Sequence, residues 1–186
     1  MKQLFAFLLI ISVLGSFACK SSQQSKRASA PVSTPTSGKR TPLVKASDLE
    51  SLLPQEVLGL TRTNLTGERA EISDKNVMTA SAEYKNTERV LRITITDATR
   101  AVAGLTGLAP WVAGEVDNKW EQGYERTVEI DGYKGYESYT RGDQTGQTSV
   151  VVNNRFVVSV VGEKVAEGEP REALRKIDLK RLARMK

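Results

Sequence analysis

Asp131-Gly132 separates two runs of alternating side chains, Tyr124 to Ile130 and Tyr133 to Thr140. Both positions of a two-residue type I′ turn need positive φ, and Asp-Gly meets that need, so the runs are expected to close as an antiparallel hairpin. The turn sets the register. Ile130 faces Tyr133, Val128 faces Gly135, Arg126 faces Glu137 and Tyr124 faces Tyr139 on the side expected to be buried. The other side carries Glu129 opposite Lys134, Thr127 opposite Tyr136 and Glu125 opposite Ser138. Gly135 across from Val128 implies close packing at that point, with a Gly-rich helix as the candidate neighbour.

Four further strands follow from pattern. Met78, Ala80, Ala82 and Tyr84 alternate with polar residues, as do Leu91, Ile93 and Ile95, and Lys85 to Glu88 is a good turn between them. Gln147 to Val152 and Arg155 to Val161 pair through Asn153-Asn154, residues that tolerate positive φ. Phe156 to Val161 is apolar on both faces apart from Ser159, which places it mid-sheet with helices expected on the two sides.

Helix signals are short. Ser47 with Glu50 reads as a capping box before Pro54. The stretch through Gly59 and Gly67 reads as irregular. Ala101 to Ala113 spaces Ala101, Leu105, Leu108 and Val112 on one helical face, although Gly104, Gly107 and Pro110 weaken it. Near the end of the chain Ala173, Leu174, Ile177, Leu179 and Leu182 give two amphipathic turns, with Asp178 placed to cap the second. The expected fold is α+β in a single domain, residues 46–186. It is an antiparallel sheet of about six strands with helices packed on its faces, α/β/α-sandwich-like.

The beginning of the chain is of another kind. Lys2, an apolar run from Leu4 to Leu14 and the small residues before Cys19 describe a secretory signal over residues 1–18, too short to span a bilayer. Residues 20–45 are rich in Ser, Thr and Pro, contain six cations and no acid, and bury almost nothing, so a disordered basic tether is expected. Seven of the 27 cations precede Ala46 and none of the 22 acids does, which leaves 20 against 22 in the folded part. That balance excludes a nucleic-acid-binding domain, which needs a basic face of its own.

The Ala18-Cys19 junction resembles the lipobox of bacterial lipoprotein precursors, with Ser16 where that family has an aliphatic residue. The resemblance implies that Cys19 carries a lipid and begins the mature protein at the membrane of a bacterial envelope. Lys20 rather than Asp after the cysteine implies the outer membrane where there are two, facing either the periplasm or the cell surface. The folded part loosely resembles the sandwiches of the PsbP and Mog1 type in architecture alone.

Chemistry is sparse. The chain has no histidine and one cysteine, which excludes Ser-His and Cys-His nucleophile pairs and disfavours a zinc site, and no phosphate loop or calcium loop occurs. No cofactor is implied. Glu125 and Glu129 share a strand face at an expected spacing of about 7 Å and are the one pair suited to glycoside hydrolysis. Lys134 and Ser138 opposite them make a solvated face of the sheet the better account. Tyr136, on that polar face, is the aromatic expected to be exposed for contact, whereas Tyr133 and Tyr139 point inward. Arg141-Gly142-Asp143 matches an integrin-binding tripeptide but consists of ordinary loop residues. From Arg171 on, seven cations stand against Glu172 and Asp178, so Arg175, Lys176, Lys180, Arg181 and Arg184 are candidate contacts to anionic lipid or an acidic protein partner. The expectation is a lipid-anchored envelope binding or maintenance domain without catalysis; the alternative is a carboxylate-dependent envelope hydrolase.

Overall fold

The structure, a computed structural model, describes residues 41–72, 75–98 and 109–186. Within them lies one nine-stranded antiparallel sheet, in the order β1-β2-β3-β4-β9-β8-β7-β6-β5. The strands are β1 (Glu56–Val57), β2 (Leu60–Ile72), β3 (Lys75–Lys85), β4 (Val90–Asp97), β5 (Asp117–Trp120), β6 (Gly123–Ile130), β7 (Tyr133–Thr140), β8 (Thr145–Val152) and β9 (Phe156–Glu163). Three short helices accompany them among the described residues: α1 (Ala46–Glu50), α2 (Glu169–Leu174) and α3 (Leu179–Ala183).

This corrects the expected sandwich of about six strands with helices on both faces. All three helices serve one face, where Leu49, Leu174, Leu179 and Leu182 close over Ala82, Tyr84, Ile93, Ile95, Val150, Phe156, Val158 and Val160. Central β9 does have apolar residues on both sides, as its sequence requires. On the outer side, however, Val157 is covered by the segment around Trp111, and Val161 is left 43% exposed.

The Asp-Gly hairpin forms in the expected register at all seven pairs named above. Asp131 has φ of 53° and Gly132 of 81°, the two positive values that a type I′ turn demands. Among the described residues it is strand β8 that closes on Gly135: a Cβ there would lie 2.7 Å from the Ser149 carbonyl oxygen and 3.1 Å from Val150 Cγ1. The second hairpin turns on three residues rather than two. Val152 pairs with Phe156, and Arg155 N donates to Val152 O at 3.0 Å after two asparagines at positive φ.

Two local readings are overturned. Lys45, not Ser47, occupies the N-cap of α1, and no side chain caps it. The stretch read as irregular is the long strand β2, and α1 packs tightly on Gly67 within it, since a Cβ there would fall 2.9 Å from Ala46 Cβ. At the other end of the chain Asp178 caps α3 as expected, its Oδ1 accepting from Arg181 N at 2.8 Å. The expected Gly-rich helix lies largely outside the described residues. Of its span, Pro110–Val112 forms a single 3-10 turn.

Candidate functional site

The outer face of the sheet differs from the helix-covered one in chemistry. Strand pairing carries a row of hydroxyl side chains straight across six strands: Ser81, Thr94, Ser159, Ser149, Tyr136 and Thr127. Several of these bond to one another. Ser81 and Thr94 hydroxyls are 3.1 Å apart, Ser149 Oγ donates to Ser159 Oγ at 2.9 Å, and Gln147 Nε2 donates to Ser149 Oγ at 3.1 Å.

Toward the β5 edge this face opens into a cleft of about 440 Å³ between Trp111, Val116, Glu125, Tyr136 and Gln147. One wall is the strap that follows the 3-10 turn. Val116 N donates to Thr127 Oγ1 at 2.9 Å, Thr127 N donates to Val116 O at 2.7 Å, and Lys134 Nζ reaches Val112 O at 3.2 Å and Gly114 O at 2.9 Å. Lys134 is thereby engaged in holding the strap. The strap in turn seats Trp111 against Val77, Val151 and Val157, and its ring stacks on Tyr136 with centroids 6.1 Å apart and planes 16° from parallel.

Tyr136 is therefore not the exposed aromatic that its strand position led one to expect. It is half-buried, and its hydroxyl donates to Glu125 Oε2 at 2.7 Å. Asn118 Nδ2, from β5, donates to Glu125 Oε1 at the same distance. These two hydrogen bonds, Asn118 first, hold the Glu125 carboxyl below its ordinary pKa, so it is a standing anion. Burial, followed by the bond to that anion, pushes the Tyr136 phenol upward. The cleft is thus walled by two aromatic rings, one fixed carboxylate and one amide. Glu115 adds a second acid, and none of the described residues lining it is a cation.

The expected 7 Å separation of Glu125 and Glu129 is corrected by their places on β6. Four residues at about 3.3 Å each put them roughly 13 Å apart, outside the spacing of about 5 to 9.5 Å used by paired glycosidase carboxylates.

Arg175, Lys176, Lys180, Arg181 and Arg184 are all exposed, but they sit on or beside α2 and α3, over the face opposite Tyr136. The structure does not bring the two sets of candidates together. Arg171, counted with them in sequence, is engaged: it pairs with Glu137, a carboxylate 3% exposed that Arg126 also grips through Nη2 at 2.8 Å. Cys19 lies outside the described residues. Among the described residues no group of three or more potential ligand side chains is placed to hold a metal, and no helix is long and apolar enough to cross a membrane. The chain matches no protein-family model, no curated protein and no solved structure in comparison.

Sequence reasoning missed the cleft because its two walls come from distant signals. Val116 and Thr127 clasp each other just ahead of β5, where the β5–β6 ladder continues, and β5 is a strand with all four residues exposed and no apolar alternation to announce it.

Proposed function

We propose that the protein is a lipid-anchored binding domain of a bacterial cell envelope, held at the membrane through Cys19. In this reading it uses the outer-face cleft to take a neutral or cationic ligand rich in hydroxyl or amine donors, as an amino-sugar unit of an envelope glycan is. The observation that carries the binding reading is Glu125 itself. A carboxylate already satisfied by Asn118 and Tyr136 and kept ionised has acceptor capacity left over but no proton to give, so it suits recognition and not general-acid catalysis. The acidic lining, with no cation among its described residues, turns away anions, while half-buried Tyr136, backed by buried Trp111, offers a small apolar surface against which a sugar ring packs.

The test uses Trp111 as reporter. With Trp120 replaced by phenylalanine, Trp111 is the remaining tryptophan, and its fluorescence is followed as soluble glycan fragments bearing amino sugars are added. Saturable quenching or shift, lost in Glu125→Gln and in Gln147→Ala, is the expected result. A flat titration with both amino-sugar fragments and their neutral counterparts would remove the cleft from the account.

A further inference from the structure

We infer that the ligand is a chain of amino sugars rather than a single one, held along β6 between Tyr136 and Trp120 with Glu125 midway. This rests on the reading of the cleft as a sugar site and adds a second contact to it. Trp120 and Val161 are the large apolar side chains left exposed among the described residues, and Trp120 is 46% exposed. Strand alternation puts it on the same side of the sheet as the cleft. Asn118 reaches Glu125 across the β5–β6 ladder, so Trp120, two residues further along β5 and paired with Gly123, projects from that face too. Its ring lies over Gly123: a Cβ there would fall 2.8 Å from Trp120 Cζ2 and 3.0 Å from Cε2. Gly123 is buried beneath it, while nearly half of the tryptophan faces solvent.

The spacing decides the length of the ligand. Tyr136 pairs with Thr127 and Trp120 with Gly123, so the two aromatics stand four β6 residues apart, roughly 13 Å at about 3.3 Å each. Glu125 is two residues from either end of that line. One sugar ring packed on Tyr136 can place an amine at Glu125 but cannot reach Trp120; a linear oligomer can. Beside the line, Ser138 and Thr140 of β7 are partly exposed on the same face and offer hydroxyls to a chain lying along it. The described cations that border it are engaged elsewhere. Lys134 holds the strap, and Arg141 donates to Glu121 O at 3.3 Å and lies 4.0 Å from Glu167. A cationic polymer thus meets an anion at the centre of the line and an aromatic ring toward each end.

The experiment titrates the chain from residue 19 with Cys19→Ser, which keeps every described residue, with glucosamine and its 1,4-linked oligomers up to the hexamer. Calorimetry gives the affinities, and NMR follows the two tryptophan indole N–H signals. From monomer to hexamer the affinity is expected to rise about thirtyfold or more, well beyond the sixfold that six equivalent units give by count. Trp120→Ala and Thr140→Arg should each bring the hexamer back to that count, with binding of the monomer reporting in each variant that the cleft is folded, while Trp120→Phe should keep most of the gain. The Trp120 signal, identified by its loss in Trp120→Phe, should move with the hexamer and not with the monomer. A rise no greater than the count, a gain that survives both Trp120→Ala and Thr140→Arg, or a Trp120 signal unmoved by the hexamer would overturn the inference and leave the cleft reading standing. Binding at no length would remove both. A dimer that Trp120→Ala dissolves would assign the ring to a second copy of the chain and overturn the inference as well.

Discussion

Arg155 shows how much can depend on one side chain. Its partner Asp97 is wholly buried, and breaking a buried pair from one side typically costs about 3 to 5 kcal/mol because a charge kept from water loses part of what compensates it. Arg155→Ala should therefore lower stability by about 3 kcal/mol in urea unfolding, and Arg155→Lys, which lacks the forked geometry, should restore only part of it. A loss below 1 kcal/mol would mean that the junction between residues 42–44 and 183–185, where Val44 N donates to Asp97 and Arg155 to the Pro42 and Met185 carbonyls, is held by something else. Gly132 tests a different cost. A Cβ there meets no atom within 4 Å, so Gly132→Val is opposed by its φ of 81° alone and should cost somewhat more than about 1 kcal/mol. Gly132→Asn should cost much less; equal losses would show that space, not backbone, is limiting.

Two phenols give pH-dependent signatures. Burial pushes Tyr84, fully buried and donating to Pro54 O at 2.9 Å, up to about 12. A raised folded-state pKa means that its stabilisation is whole below about pH 10, where an unfolded tyrosine ionises, and drains away as pH rises toward 12. Tyr84→Phe should accordingly flatten the fall in stability between about pH 10 and 12, and an unchanged slope in that window would contradict the assignment. Tyr136→Phe removes one of the two donors that depress Glu125, so the carboxyl should titrate closer to its ordinary value by NMR. No movement would mean that Asn118 alone holds it.

At the scale of elements, the sheet was legible in its middle and not at its margins. The six strands read from pattern are β3, β4, β6, β7, β8 and β9, six contiguous strands in the middle of the sheet; the two edge strands β1 and β5, and β2 beside β1, went unread. The reason is physical. An interior strand with one covered face must alternate, as Ala80, Ala82 and Tyr84 do against Thr79, Ser81 and Glu83, whereas β2 after Leu60 has no fully buried residue and β5 is exposed throughout. The helix expectation failed for a related reason. Apolar residues on both sides of β9 required cover, but cover need not be helical, and the segment around Trp111 supplies it on the outer face. The register of β6 with β7 was legible because the turn dictates it. Tyr136 was placed on the correct face but given the wrong environment, since nothing local to β7 tells that Trp111 will stack on it. Proteolysis checks the boundary these elements define. Lys45 O accepts bonds from Asp48 N and Leu49 N, so trypsin should cut after Lys39 and Arg40 well before Lys45, Arg126 or Arg155. Comparable rates at all five would show the start of the fold to be misplaced.

For the whole molecule, the account joins a proposed lipid anchor to a recognition cleft on the outer face, and the acidic lining of that cleft gives an anionic membrane surface nothing to compete for there. The claim on which the rest depends is that the protein works at a membrane held by lipid on Cys19, and the mass of the intact protein isolated from its own membranes tests it most directly. The account predicts a chain that has lost residues 1–18 and carries added acyl mass on Cys19, with Cys19→Ser leaving the membrane fraction. A chain still bearing residues 1–18, or one that begins at Cys19 with a free thiol and stays with the membrane regardless, would contradict it.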